Sequence, residues 1–361
     1  MTTPTTISVV GGGVLGLCVA LRARQAGAQV TLVSREGGAS AHAGGMLAPL
    51  CELDHAEPDI AAAGLDSVTR WQALLDELDI SAEGLLEARG SVVVAHRPEW
   101  GLLDQLWDRI ERAELSHRAT RVRRDGLDAA EPVLAERFSR ALLTEGEGAV
   151  HPLPMLAALD AACTTRGVTR IHGEVTQVEP GAIVVEGTAH HADLIIDTRG
   201  LGARTALPLR GVRGEYITLR CPGLPIGRPV RLAHPRYPIY VVPRPHETFY
   251  IGATQVERDD NTPMTARGAL ELLSALVSVH PAFAEAEILS MGVAARPALP
   301  HHLPELRHQP GLIQANGLFR HGWMLAPLIS AATVALATGQ PLPPLPASMT
   351  PVGTQERGYT G

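Results

Sequence analysis

At 361 residues the chain exceeds one ordinary hydrophobic core and is expected to form two intimately packed domains. A hydrophobic fraction of 45% predicts a well-buried globular protein, and a net charge of −7 without basic tracts excludes nucleic acid as the partner. No apolar run reaches the roughly 18 residues of a membrane span, because Arg22 and Arg24 interrupt the N-terminal one, so no membrane association is expected.

That N-terminal stretch has no basic segment ahead of its apolar core and reads as a folded strand rather than a secretion signal. Cys18, Cys51, Cys163 and Cys221 are scattered without a C-x-x-C, which fits a reducing cytoplasm. The pairs His190-His191 and His301-His302 lack metal-ligand spacing and read as solvated loop residues, so no metal is expected.

In chain order, Ile7-Ser8-Val9-Val10 reads as a short buried strand, Val14 to about Ala26 as a helix, and Gln29 to Val33 as a second strand. Between strand and helix lies Gly11-Gly12-Gly13-Val14-Leu15-Gly16, the context in which G-x-G-x-x-G binds a dinucleotide. Gly11 allows the tight turn, Gly13 lets the backbone approach a pyrophosphate, and Gly16 lets the helix pack close to the strand. The helix N-terminus then offers free N–H groups and a positive dipole end. The acid that usually holds the adenosine ribose belongs roughly 20 residues on, where this chain has Ser34, then Arg35 and Glu36. Serine can bond a ribose hydroxyl only without charge assistance. Arg35 suggests a 2′-phosphate and hence NADP, whereas Glu36 reads as a solvated loop charge or a substitute acid. The motif alone leaves the dinucleotide open.

A small-residue loop from Gly37 to Pro49 precedes a helical region ending near Leu86; Ser91 to Ala95 reads as a strand and Pro98 to Ala113 as a helix. Glu145 to Pro152 reads as a loop leading into a helix, Met155 to Arg166, and strands follow at 174–179 and 182–186. Asp193 to Asp197 is a continuous apolar run ending in Thr198-Arg199-Gly200, as expected of a central parallel strand with a glycine turn at its ligand edge. Glu215 to Arg220, Ile239 to Val242 and Phe249 to Ala253 read as an antiparallel sheet. Then come a helix (Ala266 to Val279), a loop around Arg296-Pro297, a strand (Leu312 to Asn316) and a helix from about Ala326 to Thr338.

Several segments occur together in order: Ala43-Gly44-Gly45-Met46-Leu47-Ala48-Pro49, Tyr240-Val241-Val242-Pro243, Tyr250-Ile251-Gly252-Ala253-Thr254, Ala295-Arg296-Pro297, and Asn316 to Pro327. With them the chain resembles the D-amino-acid oxidase family of flavoproteins, and looks closest to its glycine oxidase branch, which serves thiamine thiazole synthesis. The resemblance implies an α/β fold: a discontinuous Rossmann-like FAD-binding domain (1–85, 145–210 and 290–340) and an antiparallel-sheet substrate domain (86–144 and 211–289), with a loose proline-rich tail at 341–361. It implies FAD as the cofactor and so resolves the ambiguity left by Arg35.

The resemblance also implies the cofactor contacts. They are the glycine loop (Gly11, Gly13, Val14, Leu15, Gly16), Ser34 and Arg35, the stretch Ser40, Ala41, His42, Gly44, Gly45 and Met46, then Val175 and Gly200, and finally Phe319, His321, Gly322, Trp323 and Met324. Small residues at Gly44-Gly45 would let backbone run against a planar isoalloxazine ring. The helix after Gly322 would aim its N-terminus at the flavin and stabilise the charge of the reduced form. By the same resemblance Arg296 clamps the substrate carboxylate with a bidentate fork, Arg320 is a second arginine beside the flavin, and Tyr240 helps hold the carboxylate. The implied reaction passes the α-hydrogen of an amino acid to the flavin as hydride. Dioxygen then takes the electrons as hydrogen peroxide, and water hydrolyses the imine to a keto acid and ammonia. The family commonly forms tetramers.

The chain departs from the family in places. His42-Ala43-Gly44-Gly45 reproduces the spacing by which related dimethylglycine and sarcosine dehydrogenases join a histidine to the flavin, so a covalent link through His42 stands beside the expected non-covalent FAD. Leu318 and His321 replace residues often polar near the flavin, which leaves the preferred amine open. The leading expectation is a cytoplasmic oxidase of glycine and small N-alkyl glycines. The alternatives are a sarcosine or D-amino-acid oxidase or dehydrogenase, and a flavin-binding protein without turnover.

Overall fold

The structure, a computed structural model, describes residues 5–35, 38–54 and 57–353. Two large sheets organise it. The first has seven strands in the order Val352–Gly353, Glu305–Gln309, Leu312–Asn316, Leu194–Asp197, Thr6–Val10, Gln29–Ser34, Thr169–His172. Its pairs are parallel except Glu305–Gln309 with Leu312–Asn316. The apolar runs Ile7 to Val10 and Leu194 to Asp197 lie side by side at its centre, with Val9 opposite Ile196. Glu36 and Gly37, which follow the second strand, lie outside the described residues.

The helix Val14–Gln25 is buried on all its faces, from Val14 through Leu21 and again at Ala23. It therefore shows almost no amphipathic stripe. It packs against the sheet and against the helices Pro152–Thr165 and Gly322–Thr338 in one continuous core.

The second sheet has eight strands in the order Glu287–Ala298, Arg210–Arg220, Thr248–Gly252, Ile239–Arg244, Val230–Leu232, Ser91–Val94, Arg140–Thr144, Ala119–Arg123. It is antiparallel apart from Val230–Leu232 beside Ser91–Val94. The helix Ala266–Val279 covers one face and packs Leu272, Leu276 and Val279 onto Ile217 and Phe249. Two small sheets, Val175–Glu179 with Ala182–Val185 and Thr188–His191, and Met46–Leu47 with Gly148–Val150 and Leu86–Glu87, complete the fold.

The structure departs from the sequence expectations in four places. Arg296-Pro297 lies in the strand Glu287–Ala298, not in a loop, with Val212 opposite Arg296. Proline is tolerated there because this strand is the sheet edge and its missing N–H breaks no interior ladder. An expected division at residue 290 passes through this same strand. Next, the segment Glu145 to Pro152 contains the strand Gly148–Val150, and the helix after it starts at Pro152. The last helix begins at Gly322 rather than near Ala326. Pro327 leaves the carbonyl of Trp323 without its helical N–H, and the Trp71 indole donates to that carbonyl instead at 2.8 Å. Finally, the proline-rich tail is not loose as far as residue 353. Met349 is buried, and Val352–Gly353 pairs alongside Arg307 and His308.

Candidate active site

A cavity of about 1230 Å³ opens where the carboxyl ends of the parallel strands meet the second sheet. The glycine loop forms its floor. Gly11 has φ +115°, and a Cβ there would stand 2.7 Å from the Thr198 carbonyl oxygen. Gly13, Val14 and Leu15 line the cavity at the first turn of the buried helix. Gly16 does not reach it. A Cβ on Gly16 would drive into the Gly11 carbonyl, so this residue serves the close helix–strand packing.

Ser34 and Arg35 line the cavity at the end of the second strand, where Arg35 pairs with Glu174 at 3.0 Å. Ser40 also lines it, but its hydroxyl accepts from the Val14 N–H at 3.1 Å and so caps the helix. Val175 and Gly200 lie on the same wall. Arg199 grips the fully buried Asp197 and donates to the Val175 carbonyl at 3.0 Å. The single sequence showed Arg199 only as part of a glycine turn.

Further along are His42, Gly44, Gly45 and Met46, facing Phe319, His321, Gly322 and Trp323. Ala41 and Met324 do not line the cavity. Met324 is buried under Gly64, whose Cβ position lies 2.7 Å from its sulfur. Trp323 ties the two halves by donating from its indole to the Ser40 carbonyl at 3.0 Å. Phe319 has φ +48° and stacks on His302 with ring centroids 4.9 Å apart. His301 and His302 thus flank the cavity half-buried instead of standing in solvent.

Tyr216, Tyr250 and Tyr240 form a stack of nearly parallel rings, with centroids 4.8 and 6.1 Å apart. They are brought together by the register that sets Tyr216 and Tyr240 both opposite Gly252. A Cβ on Gly44 would lie 2.7 Å from Tyr240 Cε2 and 3.0 Å from Tyr250. The Tyr250 hydroxyl donates to the His42 carbonyl at 2.6 Å, and the Tyr216 hydroxyl sits 2.9 Å from His42 Nδ1. Burial pushes both of these phenols above their ordinary range. Arg244, which directly follows the quoted Tyr240-Val241-Val242-Pro243, donates to the Gly44 and Val150 carbonyls.

Arg296 and Arg320 lie together on the cavity wall with Tyr240. Arg320 carries Glu52 as a partner at 3.5 Å, and Glu52 also stands 3.7 Å from His321 Nδ1. Arg296 donates to the Thr254 carbonyl at 3.3 Å, and among the described residues no carboxylate forms an ion pair with it. Burial pushes its guanidinium below the ordinary arginine range, and Arg320 adds to this, while Tyr240 works the other way. His321 is driven down to about 4 by burial and is neutral at pH 7. Among the described residues no group of histidine, cysteine or acidic side chains could hold a metal ion.

A glycine loop over a parallel sheet, small residues pressed against tyrosines, and half-buried cations beside them define a dinucleotide-dependent oxidoreductase with an anion-binding wall. The family described as DAO, FAD dependent oxidoreductase, matches residues 6–336, and the chain belongs to that family. A Rhizobium etli protein named as the thiamine biosynthesis oxidoreductase ThiO is 38% identical over 349 residues, covering 93% of this chain and 98% of that one. Among solved structures, the Geobacillus kaustophilus glycine oxidase superposes with a TM-score of 0.81 at 25% identity, covering 93% of this chain and 96% of its own. The iminodiacetate oxidase of Chelativorans sp. BNC1 shares the fold, with a TM-score of 0.82 at 24% identity over 96% of this chain and 99% of its own. The protein is thus an FAD-dependent oxidoreductase. No described helix is long and apolar enough to cross a membrane.

Proposed function

We propose that the protein is a glycine oxidase. It converts glycine and small N-alkyl glycines to the imine, and water then releases glyoxylate with ammonia or the alkylamine. The observation that carries this reading is Arg296, a cavity-wall guanidinium without a carboxylate partner among the described residues. A guanidinium so placed calls for an anionic ligand, and a substrate carboxylate supplies one in bidentate geometry. Tyr240 would add a hydroxyl to that carboxylate, and Arg320, already shared with Glu52, would set the field beside it. Anchoring the carboxylate fixes the direction of the α-carbon, which is what these residues contribute to the rate.

The residues fit FAD. The main chain of Gly11, Gly13, Gly44 and Gly45 lines the cavity, where a Cβ would collide with Thr198, Ser40, Tyr240 or Val150, and the N-terminus of the helix at Val14 opens onto the same space. When bound, FAD supplies two-electron oxidation of the amine and return of the electrons to dioxygen. We take it as non-covalent. His42 is already held through Nδ1 by Tyr216 and through its carbonyl by Tyr250, which supports a packing role. Acid precipitation tests this, since a yellow pellet would mean a covalent link.

The decisive experiment is anaerobic addition of glycine while following the flavin absorbance, with sarcosine and D-alanine compared under air for peroxide release. Glycine-dependent bleaching unaltered in Arg296→Ala would sink the clamp assignment. The relationship to the R. etli protein supports a place in thiamine thiazole synthesis, which complementation of a thiazole auxotroph checks. We also infer a cytoplasmic homotetramer. Four free buried cysteines support a reducing compartment, and the exposed Ile288, Leu289 and Met291 on an edge strand support association of copies. Light scattering on the eluting holoprotein measures the assembly.

A further inference from the structure

The second strand of a dinucleotide fold normally ends in an acid that accepts from the adenosine ribose hydroxyls, and here that position is Ser34. The sheet offers a replacement from the neighbouring strand. Thr169–His172 runs parallel to Gln29–Ser34 with His172 opposite Ser34, and the Gly173 N–H donates to the Ser34 carbonyl at 3.1 Å. The next residue, Glu174, therefore emerges beside Ser34 and lines the same cavity. Its backbone is pinned on both sides. Its N–H donates to the Glu186 carboxylate at 2.7 Å, and its carbonyl accepts from the Glu186 N–H at 3.2 Å. Its carboxylate is steered by Arg35, which donates to Oε1 at 3.0 Å. Arg35 is thereby occupied by a carboxylate, the opposite of what a 2′-phosphate site needs.

Resting on the FAD reading above, we propose that Glu174 supplies the ribose-binding carboxylate that the end of the second strand lacks, with Arg35 as the residue that aims it. A carboxylate accepts strongly from a vicinal diol, and a serine at the neighbouring position leaves the diol room to reach it. The acid has moved one strand over, and the binding chemistry is retained.

Titration of FAD into apoprotein, read by flavin fluorescence, tests this without any turnover. Glu174→Gln should raise the Kd for FAD by about ten- to hundredfold, the loss of one charge-assisted hydrogen bond. For an FAD analogue whose adenosine carries no ribose hydroxyls, parent and variant should bind alike. Adding Ser34→Glu to Glu174→Gln should recover most of the affinity. A Kd for FAD within twofold of the parent overturns the assignment, and so does an equal loss for FAD and the analogue. It is also overturned if Glu36→Gln, rather than Glu174→Gln, produces the ribose-dependent loss. A parent apoprotein that takes up no FAD would overturn the cofactor reading itself, a result distinct from any of these.

Discussion

Arg244 donates from one guanidinium nitrogen to the main-chain carbonyl of Gly44, which lies 200 residues earlier in the chain. Its other terminal nitrogen reaches the Val150 carbonyl at 2.6 Å and His151 Nδ1 at 3.1 Å. One side chain of the second sheet thus fixes the turn that faces the tyrosine stack. Burial drives its guanidinium down to about 10, low for arginine, yet it is still charged at neutral pH.

Arg244→Met should leave both carbonyls without their donor. Unsatisfied buried acceptors cost about 1–3 kcal/mol each, so a loss of about 2–6 kcal/mol in unfolding free energy is expected. Flavin affinity should fall as well, because the Gly44 turn loosens. Urea denaturation and FAD titration of the same preparation read both effects.

Gly44→Ala places a methyl 2.7 Å from Tyr240 Cε2 and 3.0 Å from Tyr250. The stacked rings are themselves packed and cannot retreat freely. We expect flavin content on purification to drop and KM for glycine to rise severalfold. Retention of full flavin content and parental KM would contradict the packing described here.

Stability should depend on pH through two buried histidines. Burial lowers His151 and His321 from 6.5 to about 4. Between those values the unfolded chain binds protons that the folded chain refuses. Stability is therefore intact above about pH 6.5 and falls as pH drops toward 4, by up to about 1.4 kcal/mol per unit for each group. His151 accepts from Arg244 through Nδ1, which assigns its proton to Nε2. In His151→Gln the decline in the urea midpoint from pH 6.5 to 4.5 should be shallower than in the parent. Parallel curves for the two proteins would refute the assignment.

Arg213 and Glu215 form a nearly fully buried pair at 2.8 Å, and the same carboxylate also accepts from the Thr265 N–H and the Thr254 hydroxyl. Arg213→Met should cost on the order of 3–5 kcal/mol, because a buried carboxylate loses its cation. Arg213→Met combined with Glu215→Gln should regain part of that loss. Denaturant melts of the three proteins provide the comparison.

The glycine loop was legible because everything it needs is local: an apolar strand, three small residues and a buried helix within about twenty positions. The central run ending at Asp197 was legible for the same reason. The strand around Arg296 is not legible locally, since Pro297 breaks most strands and only an edge position excuses it. Pro327 likewise pushed the expected helix start past Gly322, because the partner that compensates for it, Trp71, lies 252 residues away from Trp323. Arg244, Arg199 and Tyr216 act through contacts that strand register creates. Nothing in their local sequence separates them from other arginines and tyrosines of a sheet.

Trp71 and Trp323 stand with ring centroids 5.7 Å apart, and Trp323 lines the cavity. They are two of only four tryptophans in the chain. Indole emission overlaps flavin absorption, so a flavin in that cavity would drain the excited state of this pair by energy transfer. Intrinsic fluorescence should then brighten whenever the cofactor leaves. The protein carries its own optical gauge of cofactor occupancy, readable without label in the same cuvette as the titrations above.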